Sequence, residues 1–185
     1  MRKVLRVILA GRFQPFHSGH LAVYNHLCNK FGKDVVFIAT SNKQGPSSPL
    51  SYKQKKHIIN KGFKVQINHI VHCKVPYVPD EILNKTDKDK TVSIICLGIK
   101  DKDRLVKNKH YEILPEVYEI DKLKTSDQVS YIYFSPMFEK NISATSIRMR
   151  FLDINTPNEQ KKDLFIKMFG FFNENIFFTL THNTK

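Results

Sequence analysis

His17 and His20 stand three residues apart in the run Gly11-Arg12-Phe13-Gln14-Pro15-Phe16-His17-Ser18-Gly19-His20. Imidazoles titrate near neutral pH and donate well to phosphoryl oxygens, so such a pair beside a guanidinium can stabilise negative charge on a reacting phosphate. A second cluster, Ile142-Ser143-Ala144-Thr145-Ser146-Ile147-Arg148, joins hydroxyls to another guanidinium. If Ser143 or Ala144 caps a helix, Thr145 and Arg148 share one face of its first turn, and hydroxyls, backbone N–H groups and the arginine fork aim at one anion. Taken singly, each cluster has a plainer explanation, a capping histidine or a surface arginine. Together, at opposite ends of one chain, they favour a phosphate site. No serine or cysteine with an adjacent base stands out as a covalent nucleophile.

The elements that must position these groups can be read from the apolar pattern. Val4 to Ala10 is a strand-like run feeding directly into Gly11. From His20 the residues Tyr24, Leu27, Cys28 and Phe31 fall at helical spacing, which predicts a helix from a Ser18 cap to Phe31 with Gly32 as its stop. A strand, a tight loop and a helix start without a spacer form an anion site, because the first-turn N–H groups and the positive end of the helix point at the loop. Asp34 to Thr40 reads as a strand buried on both faces, and Ser41 to Pro49 as a loop of turn formers. A helix over Ser51 to Lys61 turns Ile58 and Ile59 inward and leaves His57 and its lysines on the surface. Strands follow at His69–Cys73, Thr91–Gly98 and Tyr131–Phe134. Pro76 to Leu83 reads as a Pro-punctuated loop entering a short helix, the stretch from Asn108 to Val129 is the least regular, and a helix opens at Ser143 with Ile147, Phe151 and Leu152 facing in. The tail from Pro157 is helical and Phe-rich; Phe165, Phe169, Phe172, Phe177 and Phe178 are expected to pack on the domain.

Alternating strands and helices of this kind predict a single-domain, Rossmann-like, doubly wound parallel sheet with helices on both faces. The main domain would span residues 1–155, with 156–185 a helical extension packed on it. Ligands in such sheets gather at the carboxyl ends of the strands. That rule collects Gly11–His20, Ser41–Pro49, Gly98–Arg104 and Ser143–Arg148 at one place, and three of the four segments carry an arginine.

A length of 185 residues suits one domain, and no stretch is apolar enough to span a bilayer. Cys28, Cys73 and Cys96 lie far apart in apolar runs, as reduced core residues do. The formal charge of +13 invites a nucleic-acid reading. However, Arg stands only at positions 2, 6, 12, 104, 148 and 150, so lysine supplies most of the 30 basic residues. Those lysines alternate with Asp in 85–90 and 100–109, as on a solvated face, so neither nucleic acid nor membrane is the expected partner. Arg12, Arg104 and Arg148 are the better candidates for phosphate contacts.

His17-Ser18-Gly19-His20 resembles the HxGH signature of the nucleotidylyltransferase superfamily, and the longer Gly11 to His20 string resembles the version found in nicotinamide mononucleotide (NMN) adenylyltransferases. It is also similar to cytidylyltransferase-like proteins of large tailed phages. Ile142, Ser143, Thr145 and Arg148 match the superfamily's ISxTxxR element residue by residue. The resemblance covers most of residues 3 to 152 and is specific at its two ends. It implies attack by an acceptor's phosphate on the α-phosphate of a nucleoside triphosphate with release of pyrophosphate, and neither a general base nor a covalent intermediate. His17, His20 and Arg148 would be the catalytic groups. Gly11, Arg12, Phe13, Gly19, Gly98, Lys100, Asp101, Ser143 and Thr145 would hold the nucleotide.

Magnesium would ride on the phosphates with no protein ligand of its own. ATP is the implied co-substrate, with CTP as the alternative. The implied acceptor is a small phosphorylated molecule such as NMN, which would place the protein in NAD biosynthesis in the cytoplasm, or in a host's cytoplasm if a phage encodes it. A homo-oligomer is compatible with this reading. A non-enzymatic nucleotide- or RNA-binding relative is the rival, against which intact His17, His20 and Arg148 weigh.

The chain departs from that family where the acceptor should be chosen. A Pro-Phe-Thr-x-x-Glu-Arg pattern opens the second helix in such enzymes; here Pro49-Leu50-Ser51-Tyr52-Lys53-Gln54-Lys55 keeps the outline and loses both Glu and Arg. The aromatic that meets the nicotinamide ring there is often Trp. This chain has none, and Tyr77 is the candidate substitute.

Overall fold

The computed structural model describes residues 3–98, 101, 103, 105, 110–136, 138 and 143–182. Six strands form one sheet: β1 (Val4–Ala10), β2 (Val36–Thr40), β3 (Ile70–His72), β4 (Thr91–Gly98), β5 (Tyr111–Ile113) and β6 (Ser130–Ser135), in the order β3-β2-β1-β4-β6-β5. β1 pairs in parallel with β2 and β4, and β6 with β4 and β5. The order reverses between β1 and β4, which gives a Rossmann-like α/β fold with its switch point beside the end of β1. β4 is buried along seven of its eight residues, as its unbroken apolar run requires.

The stretch expected to be irregular contains the short edge strand β5. Three residues with Ile113 exposed carry too little apolar pattern to announce a strand. His69–Cys73 narrows to β3, with a 3-10 turn at Ile67–His69 before it. The helices are α1 (Ser18–Phe31), α2 (Tyr52–His57), α3 (Asp80–Leu83), α4 (Ala144–Leu152), α5 (Asn158–Phe169) and α6 (Glu174–Thr181). None among the described residues is long and apolar enough to cross a membrane. α2 passes into a π-turn at Ile58–Gly62.

Contacts divide the chain into two compact units. Met1–Gly11, Val23–Ser41 and Val71–Met137 form a sheet unit; Arg12–Ala22, Asn42–Ile70 and Phe138–Lys185 form a unit that carries most of both motifs. In the sheet unit, Ile8, Ala39, Cys73, Ile95, Leu97 and Ile132 make a core with Tyr77, Ile82 and Leu83. All three cysteines are free; Cys73 and Cys96 are buried, while Cys28 is only half-buried on the flank of α1. Burial pushes the Cys73 and Cys96 thiols up to about 12.

The core of the motif unit is aromatic. Phe16 meets Phe63 at 5.2 Å between ring centroids, Phe63 meets Phe169 at 6.5 Å, and Phe169 meets Phe165 at 4.8 Å. Phe165 in turn touches Phe151 of α4 and Phe177 of α6. Phe63 and the α5 rings Phe169 and Phe165 thus lie between the first motif and α4. Not every predicted inward aromatic is inward: Phe178 is 60% exposed, Phe172 and Leu152 are also exposed, and Phe178 stacks on His182 instead. The turn of α6 that carries Phe177 inward carries its sequence neighbour Phe178 outward.

Candidate active site

Arg12 to His17 forms a loop leaving Gly11, whose N–H bonds the Ala39 carbonyl at the end of β2. Phe13 adopts φ 47°, and Gln14-Pro15 is cis. A non-glycine residue in the left-handed region is held there by its surroundings, and three long-range attachments do so here. The buried Gln14 amide clamps the Leu50 backbone from both sides, donating to its carbonyl at 2.9 Å and accepting its N–H at 2.8 Å. The Gln14 carbonyl accepts from Arg148 Nη1 at 2.5 Å. The Arg12 carbonyl accepts from Lys55 Nζ at 3.1 Å. None of these bonds joins sequence neighbours.

The start of α1 differs from expectation by one position. The His17 carbonyl takes the Leu21 N–H at 3.0 Å, so His17 occupies the cap and Ser18 is the first helical residue. The His17 N–H donates to His20 Nδ1 at 3.3 Å. His20 therefore acts as the third helical residue of a capping box does, reaching back to the cap N–H. Because Nδ1 accepts, the ring proton lies on Nε2. The two imidazoles lie 3.8 Å apart between centroids, with Phe13 and Phe16 against His20. Burial, and then the neighbouring His17, push the His20 imidazole down to about 3. His20 is thus a neutral Nε2–H donor across the physiological range.

At α4, Ser143 is the cap in a full capping box with Ser146. Thr145 Oγ1 accepts from Arg148 Nη2 at 3.3 Å, so the two do share the first-turn face. The Arg148 guanidinium is held below its ordinary value by burial and then by the positive charge of Arg12. Lys55 and Arg148 each donate to a carbonyl of the loop, and the Arg12 and Arg148 charges act on each other. Positive charges held close together gain from an anion placed among them.

The structure brings together Arg12, Phe13, His17, Gly19, His20, Thr145 and Arg148, with Ser143 capping the helix that carries Arg148. Gly98 closes β4 in the sheet unit, and a Cβ on it would lie 3.7 Å from Asp101 Oδ2, an ordinary contact. Lys100, Arg104 and Ile142 lie outside the described residues. Two site residues escape sequence reasoning. Lys55, expected on the surface, is fully buried, because it precedes Ile58 and Ile59 by three and four positions and so shares their inward face. Gln14 looks like a loop residue, and only its partner 36 positions away reveals its role. Gln54, standing where the related enzymes have Glu, caps α2 through the Ser51 N–H and donates to Asn175 and Thr179 of α6. Tyr77 does not offer a free ring: it is buried in the core of the sheet unit, where its carbonyl accepts from Tyr111 Oη.

The sheet is parallel around a switch point, and His17, His20, Arg12 and Arg148 all belong to the motif unit. Residues 8–150 match the cytidylyltransferase-like family, and the chain belongs to that nucleotidyltransferase-like family. It is 36% identical over 62 residues to a nicotinamide-nucleotide adenylyltransferase of Sulfurisphaera tokodaii, a match covering 32% of this chain and 36% of that protein. It is 30% identical over 80 residues to an uncharacterized protein of Archaeoglobus fulgidus, covering 41% and 46% respectively. The chain therefore spans less than half the length of the curated relatives it matches.

Proposed function

We propose that the protein transfers an adenylyl group from ATP to a small phosphorylated acceptor such as NMN, with release of pyrophosphate. The observation that carries this reading is the fixed His17–His20 pair at the start of α1, in the same unit as Arg12 and Arg148, whose positive charges act on each other. The adenylyltransferase name of the Sulfurisphaera tokodaii relative supports ATP and NMN. An acceptor phosphate oxygen attacks the α-phosphorus, the bond to the bridging oxygen of the β-phosphate breaks, and pyrophosphate leaves with that electron pair. The acceptor phosphate is ionised at neutral pH, so no residue must remove a proton. His20 Nε2–H donates to a phosphoryl oxygen while remaining neutral, and Arg12 and Arg148 offset the charge that accumulates on the leaving group. Within the motif unit, Phe13, Gly19, Ser143 and Thr145 complete the nucleotide site.

Among the described residues no three His, Cys, Asp or Glu side chains converge on a metal position. A magnesium ion carried by the phosphate oxygens fits this donor set, and when bound it would supply further charge neutralisation there. The family description favours a second reading, CTP with a small phosphomonoester acceptor. A pyrophosphate-release screen of ATP and CTP against NMN, pantetheine phosphate and simple sugar or polyol phosphates decides between them. Release with ATP and NMN is expected. Release with CTP alone selects the second reading, and none with any pair, despite triphosphate binding, leaves a nucleotide-binding protein without transferase activity.

A further inference from the structure

Lys55 has no part in the transfer described above, yet it is a fully buried cation at the foot of the site. Removing an ammonium from water is costly, and an apolar side chain of similar length would fill the space without that cost. What the lysine supplies is an attachment. Its Nζ donates to the carbonyl of Arg12, the residue before Phe13 with its φ of 47°. The Arg12 peptide cannot rotate without breaking that bond, and its orientation directs the Arg12 side chain.

We propose that Lys55 is a positioning residue that holds the Arg12 peptide, and through it sets the Arg12 guanidinium beside Arg148. The guanidiniums repel one another, so a loop that brings them together for an anion needs an anchor. Arg148 and Gln14 fix the later part of the loop, and Lys55 fixes its beginning. The anchor is itself anchored: the Ser51–Gln54 capping box fixes the start of α2, and the Gln54 amide ties it to Asn175 and Thr179 of α6. The burial of Lys55 also pushes its ammonium down to about 8, the mark of a charge kept in an unfavourable place.

The inference rests on the reading of this site as one that binds a triphosphate, and its test uses two independent readouts. Inorganic tripolyphosphate serves as the probe, with no base or acceptor. Lys55→Met should weaken its binding at least about tenfold while the melting temperature stays within a few degrees of wild type. Arg12→Ala should weaken it similarly, and the double variant no further, because Lys55 acts through Arg12. Lys55→Arg, which keeps a cationic donor, should recover part of the loss. Hydrogen exchange over residues 12–17 should quicken in Lys55→Met with or without the probe. Additive losses in the double variant, or unchanged exchange in a folded Lys55→Met, would overturn the inference. Should Lys55→Met fail to fold, Lys55→Gln takes its place under the same criteria. A wild-type protein that does not bind tripolyphosphate would sink the triphosphate reading, while the exchange measurement still judges Lys55.

Discussion

The two units bury different kinds of polar group. In the sheet unit the buried polar residues are hydroxyls: Thr40, Ser41, Thr91, Ser93 and Thr125. In the motif unit they include an amide, two imidazoles and two ammoniums: Gln14, His17, His69, Lys55 and Lys161. A hydroxyl is small and finds a partner close by, as Thr91 does at the Asp87 carbonyl and Ser93 at Ser130 on the neighbouring strand. A buried amide or ammonium needs partners placed to within a few tenths of an ångström, and here those partners come from distant segments. The sheet unit should therefore tolerate changes that keep volume and apolarity, whereas the motif unit should lose most where a removed polar group leaves two buried partners unpaired, as at Gln14.

The sharpest test acts on the histidines. His17→Ala and His20→Ala should each lower kcat by roughly 10²–10³-fold with little change in triphosphate affinity, the signature of donors that act on charge developing in the transition state. Steady-state kinetics beside calorimetry checks this, and equal small losses in both parameters would remove the histidines from the catalytic role.

Gln14→Ala comes next. It strips partners from the buried Leu50 N–H and carbonyl and should cost about 2–4 kcal/mol in denaturant unfolding. Ile8→Val, in the sheet core, should cost about 1 kcal/mol. Equal costs would dissolve the contrast between the units.

Gly62→Ala should cost about 1–3 kcal/mol, because a Cβ there would sit 2.5 Å from the Phe169 carbonyl oxygen. A melting temperature equal to wild type would show that the π-turn and the end of α5 can move apart.

The gentlest probe is acid. The unfolded chain takes up the His20 proton near pH 6.5 and the folded one only near pH 3. The stability linked to His20 is thus complete above about pH 6.5 and is lost as pH falls toward 3. His20→Gln keeps an acceptor for the His17 N–H and carries no proton to titrate. Between pH 7.5 and 5 its melting temperature should fall less than that of wild type. A parallel fall would assign the acid sensitivity elsewhere.

Much of this was legible in the sequence, for reasons that follow the same division. β1, α1 and β4 announce themselves because burial on one face or two imposes a period on neighbouring residues. Both motifs are short and local, and the capping pattern at Ser143 can be read from four consecutive residues. Lys55 was hidden because a lysine at helical spacing reads as a surface residue until its partner is known. Gln54 was hidden because its amide answers to α6, more than 120 positions away. β5 was hidden because a three-residue edge strand is specified by β6 and hardly at all by its own side chains. What the sequence conceals is pairing across distance, and the motif unit is built from it.

The ring contacts running from His20 through Phe16, Phe63, Phe169 and Phe165 to Phe151 carry a consequence for any shortened form of the protein. A chain ended after Asn155 would keep every residue of both motifs and would lose Phe165 and Phe169 from the rings that lie between them. Phe63 and Phe151 would then face water. Such a product would present exposed apolar rings to solvent and be prone to aggregation and proteolysis.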